Sequence, residues 1–155
     1  MATNLPVPGR TYDVAAFQPP GGSAPAPAGL TLSDGGTGLA VTGIQKLAQR
    51  VLIEWLTERG SMPYLPTRGT SFLAAARLGL LRTDTDIFQQ FAFAAGQCTR
   101  NLAAEDGPST PNDERLATIE LVSARVTDDR LTLAVRVTSR AGTSATLPVP
   151  IATSP

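Results

Sequence analysis

Apolar residues recur every three to four positions between residues 42 and 59, which is the clearest pattern in this protein. Its apolar members are Ile44, Leu47, Ala48, Val51, Leu52, Trp55 and Leu56. Such spacing places side chains on one face of an α-helix, so we predict an amphipathic helix that begins at Thr42 or Gly43 and ends near Arg59. Gly60 is expected to end it as a left-handed cap. The polar residues expected mainly on its solvated face are Gln45, Gln49, Arg50, Glu54 and Glu58.

Two further helices are predicted downstream. Thr70 or Ser71 can cap a short helix, whose apolar residues are Phe72, Leu73, Ala76, Leu78 and Leu80. The polar run 82–86 supplies caps and acidic residues, which are favourable at a helix start. The third helix is therefore expected from about Asp86 to Ala104. Its predicted buried residues are Ile87, Phe88, Phe91, Ala95, Cys98 and Leu102.

The pattern changes to strand periodicity after a loop that is predicted at residues 105–112. Residues 116–126 are rich in Ile, Leu and Val, and residues 127–130 have turn chemistry. Apolar residues then occupy alternate positions from 131 to 138, as in a half-buried strand, and residues 144–151 are a possible third strand. Helices followed by a meander predict an α+β fold, with about three helices packed on a small antiparallel C-terminal sheet.

Pro148 and Pro150 constrain the last of these strands. Residues two positions apart in a strand direct their N–H groups to the same side, and proline has no N–H. Both donors are therefore missing from one side, which cannot form a regular ladder. We predict that this segment is an edge strand with that side outward, or a tail. The arrangement also protects the sheet from unwanted pairing.

The first 41 residues differ in composition from the rest. Residues 18–29 are a Pro/Gly/Ala tract, which favours an extended or mobile linker. Short pieces at 12–17 and 30–32 could be brief strands. Two interpretations stay open, an arm that is mobile in isolation and an arm that orders on a neighbouring protein. The predicted organisation is an extended arm at 1–41, an α+β domain at 42–151 and a tail at 152–155.

Composition narrows the classes of function. With 155 residues the protein has room for about one domain. It has 13 basic and 13 acidic residues and a formal net charge of +0, so no global field attracts nucleic acid or an anionic membrane. The sequence has no apolar run of about 18 residues and no signal-peptide pattern, so we expect a cytoplasmic protein without membrane spans.

Candidate catalytic chemistry is sparse. Histidine is absent, which excludes Ser-His-Asp and Cys-His nucleophile activation and removes the commonest zinc ligand. Cys98 is the single cysteine, and its helical spacing favours a core position. Glu54 and Glu58 lie one helical turn apart and could approach each other as an acid pair, but a solvated polar face explains them better. We predict no enzymatic activity, no cofactor and no metal site.

Residues 56–70 carry a resemblance to a known family. They read Leu-Thr-Glu-Arg-Gly-Ser-Met-Pro-Tyr-Leu-Pro-Thr-Arg-Gly-Thr, and the residues that define the turn are Gly60, Pro63, Tyr64, Pro66 and Gly69. This turn, followed by a short helix, a longer helix and a terminal meander, resembles the gene-product-25-like baseplate wedge family of contractile phage tails, whose older label is tail lysozyme. The likeness covers about residues 42–151.

That family also carries a Glu-Pro-Arg triplet where the meander begins. The corresponding residues here are Asp113, Glu114 and Arg115, so an acid and the arginine are kept and the proline is replaced. The resemblance implies a polar clamp onto neighbouring wedge subunits. Arg115 would be its main element, because a guanidinium group holds carbonyls or carboxylates in a fixed geometry. The alternative interpretation is a solvated charge pair before a strand.

The resemblance implies a role in assembly rather than catalysis. Such proteins join wedge subunits to the central hub and tube of the inner baseplate, in about six copies, and present a sheet to which the first sheath ring adds strands. The expected partners are therefore wedge subunits, the sheath protein and tube or hub proteins. The expected location is the virion, after assembly in the host cytoplasm. Two alternatives stay open: a peptidoglycan hydrolase, as the older label suggests, and an adaptor of a related non-contractile tail.

Overall fold

A computed structural model describes residues 13–14, 40–127 and 130–152. Its strands and helices, in sequence order, are β1 (Asp13–Val14), β2 (Ala40–Val41), α1 (Gly43–Leu56), α2 (Phe72–Arg77), α3 (Asp84–Glu105), β3 (Leu116–Thr127), β4 (Arg130–Ser139) and β5 (Ser144–Ala152). Three helices and a three-stranded antiparallel sheet confirm the predicted α+β fold. Within these ranges, none of the helices combines the length and apolar character that crossing a bilayer requires.

The predicted N-terminal arm is described only at four residues. β1 pairs antiparallel with β2, and Asp13 lies opposite Val41. Gln49 donates a hydrogen bond to the Asp13 carboxylate at 3.2 Å, which ties this short ladder to α1. The Pro/Gly/Ala tract, the possible strand at 30–32, the turn residues 128–129 and residues 153–155 of the tail lie outside the described residues.

α1 buries the apolar face that its spacing predicts. Leu47, Val51 and Trp55 are each at most 2% exposed. The Trp55 ring lies 5.6 Å from the ring of Phe72 in α2 and 4.7 Å from the ring of Phe91 in α3, measured between centroids. This single tryptophan therefore packs where the three helices meet, and tilted aromatic pairs at such distances stabilise a core beyond their buried area.

α1 ends at Leu56, earlier than the predicted end near Arg59. The reason is that Arg59 N donates to Thr70 O at 3.1 Å, across the following loop, instead of continuing the helical ladder. Gly60 has a φ of +85°, but it lies inside that loop. Its predicted role as the helix cap is therefore wrong, although its left-handed conformation is one that glycine adopts more readily than other residues do.

α3 begins at Asp84, before the predicted start at Asp86, because a capping box defines its first turn. Thr83 Oγ1 accepts from Asp86 N at 3.1 Å, and the Asp86 carboxylate accepts from Thr83 N at 2.9 Å. The hydrogen bonds that this carboxylate accepts, from the Thr83 hydroxyl at 2.8 Å and from Thr83 N, lower the pKa of Asp86. The residue taken as the helix start is thus the third residue of the helix, the usual place for the acid of a capping box.

Three residues that were predicted to be apolar core residues of the helices are exposed in the structure. Phe88 is 56% exposed, since it lies on the side of α3 that faces away from α1 and the sheet. α2 ends at Arg77, so Leu78 and Leu80 follow the helix and are exposed. Cys98 has no exposed surface, which confirms its predicted core position.

The sheet order is β3-β4-β5, and each neighbouring pair is antiparallel. β4 is the central strand and buries alternate side chains against the helices, as its sequence predicted. Those side chains are Leu131, Leu133, Val135 and Val137. The helices therefore form one layer and the sheet a second layer, with a single apolar core between them.

β5 lies at an edge of this sheet. Pro148 pairs with Ala134 and Pro150 with Thr132, in a ladder without register shifts. Because proline has no N–H, these must be the pairs whose backbone polar groups point away from β4. The outer side of β5 therefore lacks a donor at both prolines.

Candidate functional site

The loop of residues 57–70 is closed at its base by backbone pairing. Thr70 N donates to Thr57 O at 2.8 Å, next to the bond between Arg59 N and Thr70 O. Thr70 Oγ1 also donates to Trp55 O at 2.9 Å, inside the core. Both ends of the loop are consequently anchored to the end of α1, which makes it a compact Ω-type loop.

Glu54 anchors this loop from within, and its predicted place on the solvated face is wrong. It is 1% exposed. Its carboxylate oxygen Oε2 accepts a hydrogen bond from Arg68 Nε at 2.8 Å and lies 2.6 Å from Arg68 Nη2 as an ion pair. Gly69 N donates to the other oxygen at 2.7 Å, and Asn101 Nδ2 at 2.5 Å. One carboxylate thus holds the loop against α3 through charge-assisted hydrogen bonds, which are stronger than neutral ones.

The two glutamates considered as an acid pair have different surroundings. Glu58 pairs with Arg77 at 2.9 Å on the surface, whereas Glu54 is buried and bound by groups of the same protein. A catalytic acid or base must come within hydrogen-bond reach of the substrate. A buried carboxylate that already accepts three hydrogen bonds and forms an ion pair does not offer that. Among the described residues, no group of three or more Cys, Asp or Glu side chains converges as a metal site.

Gly69 is required at the base of the loop for two reasons. Its φ is +86°, in the left-handed region that side chains disfavour. A Cβ at this position would lie 2.3 Å from Thr57 O, which is a backbone atom that cannot move aside. The sequence placed this glycine in the turn, but only the structure shows that it allows two backbone segments to touch.

The tip of the same loop faces solvent. Gly60, Pro63, Tyr64 and Pro66 are all exposed, and Tyr64 is 96% exposed. The residues that defined the predicted turn therefore have two different environments. Gly69 belongs to the buried base, while the aromatic ring stands on the exposed tip without packing against the fold.

Glu114 joins the start of α1 to the start of the sheet. It is 1% exposed and accepts from Thr42 Oγ1 at 3.1 Å, Gly43 N at 3.3 Å and Lys46 Nζ at 2.9 Å. Burial alone would raise the pKa of this carboxyl, but the hydrogen bonds from Lys46, Gly43 and Thr42 and the Lys46 charge lower it below its usual value. The carboxylate also caps the helix, since the Thr42 hydroxyl makes no capping bond of its own. The interpretation of a solvated charge is therefore wrong for Glu114.

The other two predicted clamp residues lie closer to the surface. Asp113 and Arg115 are both half-buried. Arg115 Nη2 donates to Gly107 O at 2.7 Å and to Pro108 O at 3.3 Å. The guanidinium thus holds backbone carbonyls, as its chemistry suggested, but in this structure they belong to the same protein.

Several residues of these networks were missed by sequence analysis. They are Lys46, Arg50, Arg68 and Asn101. Arg50 shows why, because it binds Asp106 at 3.2 Å and also reaches Glu105, both far along the sequence. A signal for Glu54 did exist, since it lies three residues after Val51 and seven after Leu47 and so shares their buried stripe.

Scans of the sequence against protein-family models, curated proteins and solved structures found no match. The functional interpretation therefore depends on the residues and the geometry described above.

Proposed function

We propose that this protein is a structural component of the inner baseplate of a contractile tail. It joins wedge subunits to the hub and tube, and it nucleates sheath assembly by accepting an added β-strand. The observation that carries the proposal is the contrast between the two edges of its sheet. β5 is blocked by Pro148 and Pro150, whereas β3 contains no proline over its 12 residues.

The backbone pairing indicates which groups β3 offers at its outer edge. Ala134 and Thr132 direct their backbone N–H and C=O groups away from β5 and therefore toward β3. In β3, Ser123 lies opposite Ala134 and Arg125 lies opposite Thr132. The alternate residues Ala124 and Val126 therefore direct their N–H groups outward. Among the strands that the structure describes, β4 is the only one that pairs with β3.

A register shift limits where a new strand can pair. The ladder between β3 and β4 is irregular between Leu121 and Ser123, a bulge that leaves Val122 without a direct partner. Bulges at an edge discourage indiscriminate pairing. A regular added strand can therefore pair on only one side of the bulge, and we place it along residues 123–127, where Ala124 and Val126 direct their N–H groups outward.

The wedge contact falls on the surface around Asp113 and Arg115, since Glu114 is occupied inside the fold. The internal networks of Glu54 and Glu114 support this role, because they fix the loop and α1 against the sheet and so present one rigid body. Partners of this kind recognise a preorganised surface at lower entropic cost than a mobile one.

The test introduces into β3 the proline pattern that blocks the outer edge of β5. Ala124→Pro together with Val126→Pro removes two outward donors from β3 and reproduces the pattern of β5. The matched control, Ala124→Val together with Val126→Thr, keeps both donors. Particles assembled with each variant are imaged by electron microscopy, with urea unfolding of each purified variant as the check on folding.

We expect the proline variant to fold, to join the baseplate and to leave the tube without sheath, while the control forms sheathed particles. Normal sheath formation by a folded proline variant would refute strand addition at β3. Imaging of the intact particle tests the location directly, and a position away from the ring beneath the first sheath layer would refute the assembly role. Zymographic clearing that Glu58→Gln abolishes, in a variant that keeps its urea midpoint, would favour the hydrolase alternative.

A further inference from the structure

An open cleft of about 270 Å³ lies where the hairpin of β3 and β4 meets the end of α3. Its lining residues are Ala103, Asp106, Gly107, Pro108, Arg115 and Arg140. Two of these six are arginines, and the cleft is outside the core and outside both glutamate networks. Its position on the 103–115 connection and the far end of β4 makes it a surface site.

The two arginines are neighbours across the hairpin. Arg140 N donates to Arg115 O at 2.9 Å, which extends the ladder beyond the pair of Leu116 and Ser139. Like charges at opposite positions of neighbouring strands are destabilising. Neither guanidinium pairs with a carboxylate of the described residues. The one carboxylate that lines the cleft, Asp106, forms its ion pair with Arg50 at 3.2 Å. The cleft therefore brings two positive charges together without a counter-charge committed to them.

Arg115 is preoriented with donors to spare. Its Nη2 is held by the carbonyls of Gly107 and Pro108. Its Nε is buried and has no hydrogen-bond partner in the part of the protein that the structure describes. Leaving a buried donor unsatisfied is unfavourable, and a guanidinium that is already fixed loses little further freedom when it binds a planar anion.

We propose that this cleft binds a carboxylate of a partner protein, held between Arg115 and Arg140. The carboxylate can come from an acidic residue or from the C-terminus of the partner, because both present the same planar pair of oxygens. The Asp106 carboxylate in the cleft wall disfavours a doubly charged phosphate, which selects for the single charge. The inference rests on the proposed function in one respect, since Arg115 also lies on the surface assigned to the wedge contact, and it names the group by which that partner would be recognised.

The test uses the full-length protein and nuclear magnetic resonance of the arginine Nε–Hε signals. The three probes are N-acetyl-glutamate amide, whose only carboxylate is the γ-carboxylate, N-acetyl-alanine, whose only carboxylate is terminal, and inorganic phosphate. We expect saturable shifts of the Arg115 and Arg140 signals with at least one carboxylate probe. The probe that binds more tightly identifies the source of the carboxylate.

Two variants control for non-specific attraction. Arg140→Gln removes an exposed charge just after β4 and is expected to weaken carboxylate binding at least fivefold. Arg136→Gln removes an exposed arginine within β4 and should leave the binding unchanged. Absence of saturable shifts would refute the site. So would tighter binding of phosphate, or equal loss of binding in both variants. These outcomes are independent of the sheath experiment, so the failure of one proposal is distinguishable from the failure of the other.

Discussion

The buried position of Glu54 leads to the sharpest prediction about stability. Glu54→Gln keeps the size of the residue but removes the charge that Arg68 binds at 2.6 Å and 2.8 Å. It also replaces one acceptor oxygen by an N–H₂ donor, in a site where Gly69 N and Asn101 Nδ2 already donate. The matched variant is Glu58→Gln, four residues along in the loop after α1, where the carboxylate pairs with Arg77 on the surface.

The expected magnitudes differ several-fold. Removing one partner of a buried ion pair costs about 3–5 kcal/mol, because the other charge stays buried without compensation. The Arg68 side chain is 23% exposed, so it can recover part of its hydration, and it keeps its ion pair with Glu105. We therefore expect no more than the lower end, about 3 kcal/mol, for Glu54→Gln. A surface pair contributes about 0–1 kcal/mol, which bounds the effect of Glu58→Gln.

Urea unfolding measures both variants through the fluorescence of Trp55, the single tryptophan, which is 1% exposed in the folded protein. With a typical denaturant dependence of about 1–3 kcal/mol per molar, a loss of about 3 kcal/mol moves the midpoint down by about 1–3 M. Equal midpoints for the two variants would refute the buried network. A smaller effect of Glu54→Gln in an Arg68→Met background would identify the ion pair as its source.

Three further predictions follow from the same contacts. The pKa of Glu114 is lowered in the folded protein, so the stabilisation it provides is complete above its usual value of 4.5 and is lost as the pH falls from 4.5 through the lowered pKa. Urea midpoints of Glu114→Gln should therefore vary less with pH in this range than those of the unmodified protein. An unchanged acid dependence would contradict this assignment. Gly69→Ala should lower the free energy of unfolding by about 3 kcal/mol or more, because left-handed strain and a backbone clash add. Gly79→Ala, at a φ of +64° in open space, should lower it by only about 1–2 kcal/mol, and thermal unfolding measures both variants. Equal destabilisation of the two variants would rule out the clash. Burial and the Glu54 charge raise the pKa of Cys98 to about 12, so a thiol reagent should modify it only after unfolding, and rapid labelling of the folded protein would overturn its core position.

Much of the architecture follows from local patterns that act within one element. The stripe of α1, the alternation of β4 and the prolines of β5 each depend on the direction in which neighbouring side chains or N–H groups point. Helix boundaries were less predictable where a backbone group near the helix end forms a hydrogen bond with a residue distant in the sequence. α1 stops at Leu56 because Arg59 pairs with Thr70 across a loop, which no periodicity in the helix indicates.

Residue type and spacing alone were enough to predict the α+β fold, the buried face of α1, the core position of Cys98 and a last strand without two of its donors. The environments of the charged residues, in contrast, depend on contacts between distant parts of the fold. Glu54 is buried because Asn101, 47 residues away, and Arg68 reach it. The cleft beside Arg115 likewise exists because the hairpin returns Arg140 to it. A buried charge is stabilised by the groups that contact it in the folded protein, and the spacing of residues along the sequence does not indicate which distant groups those are.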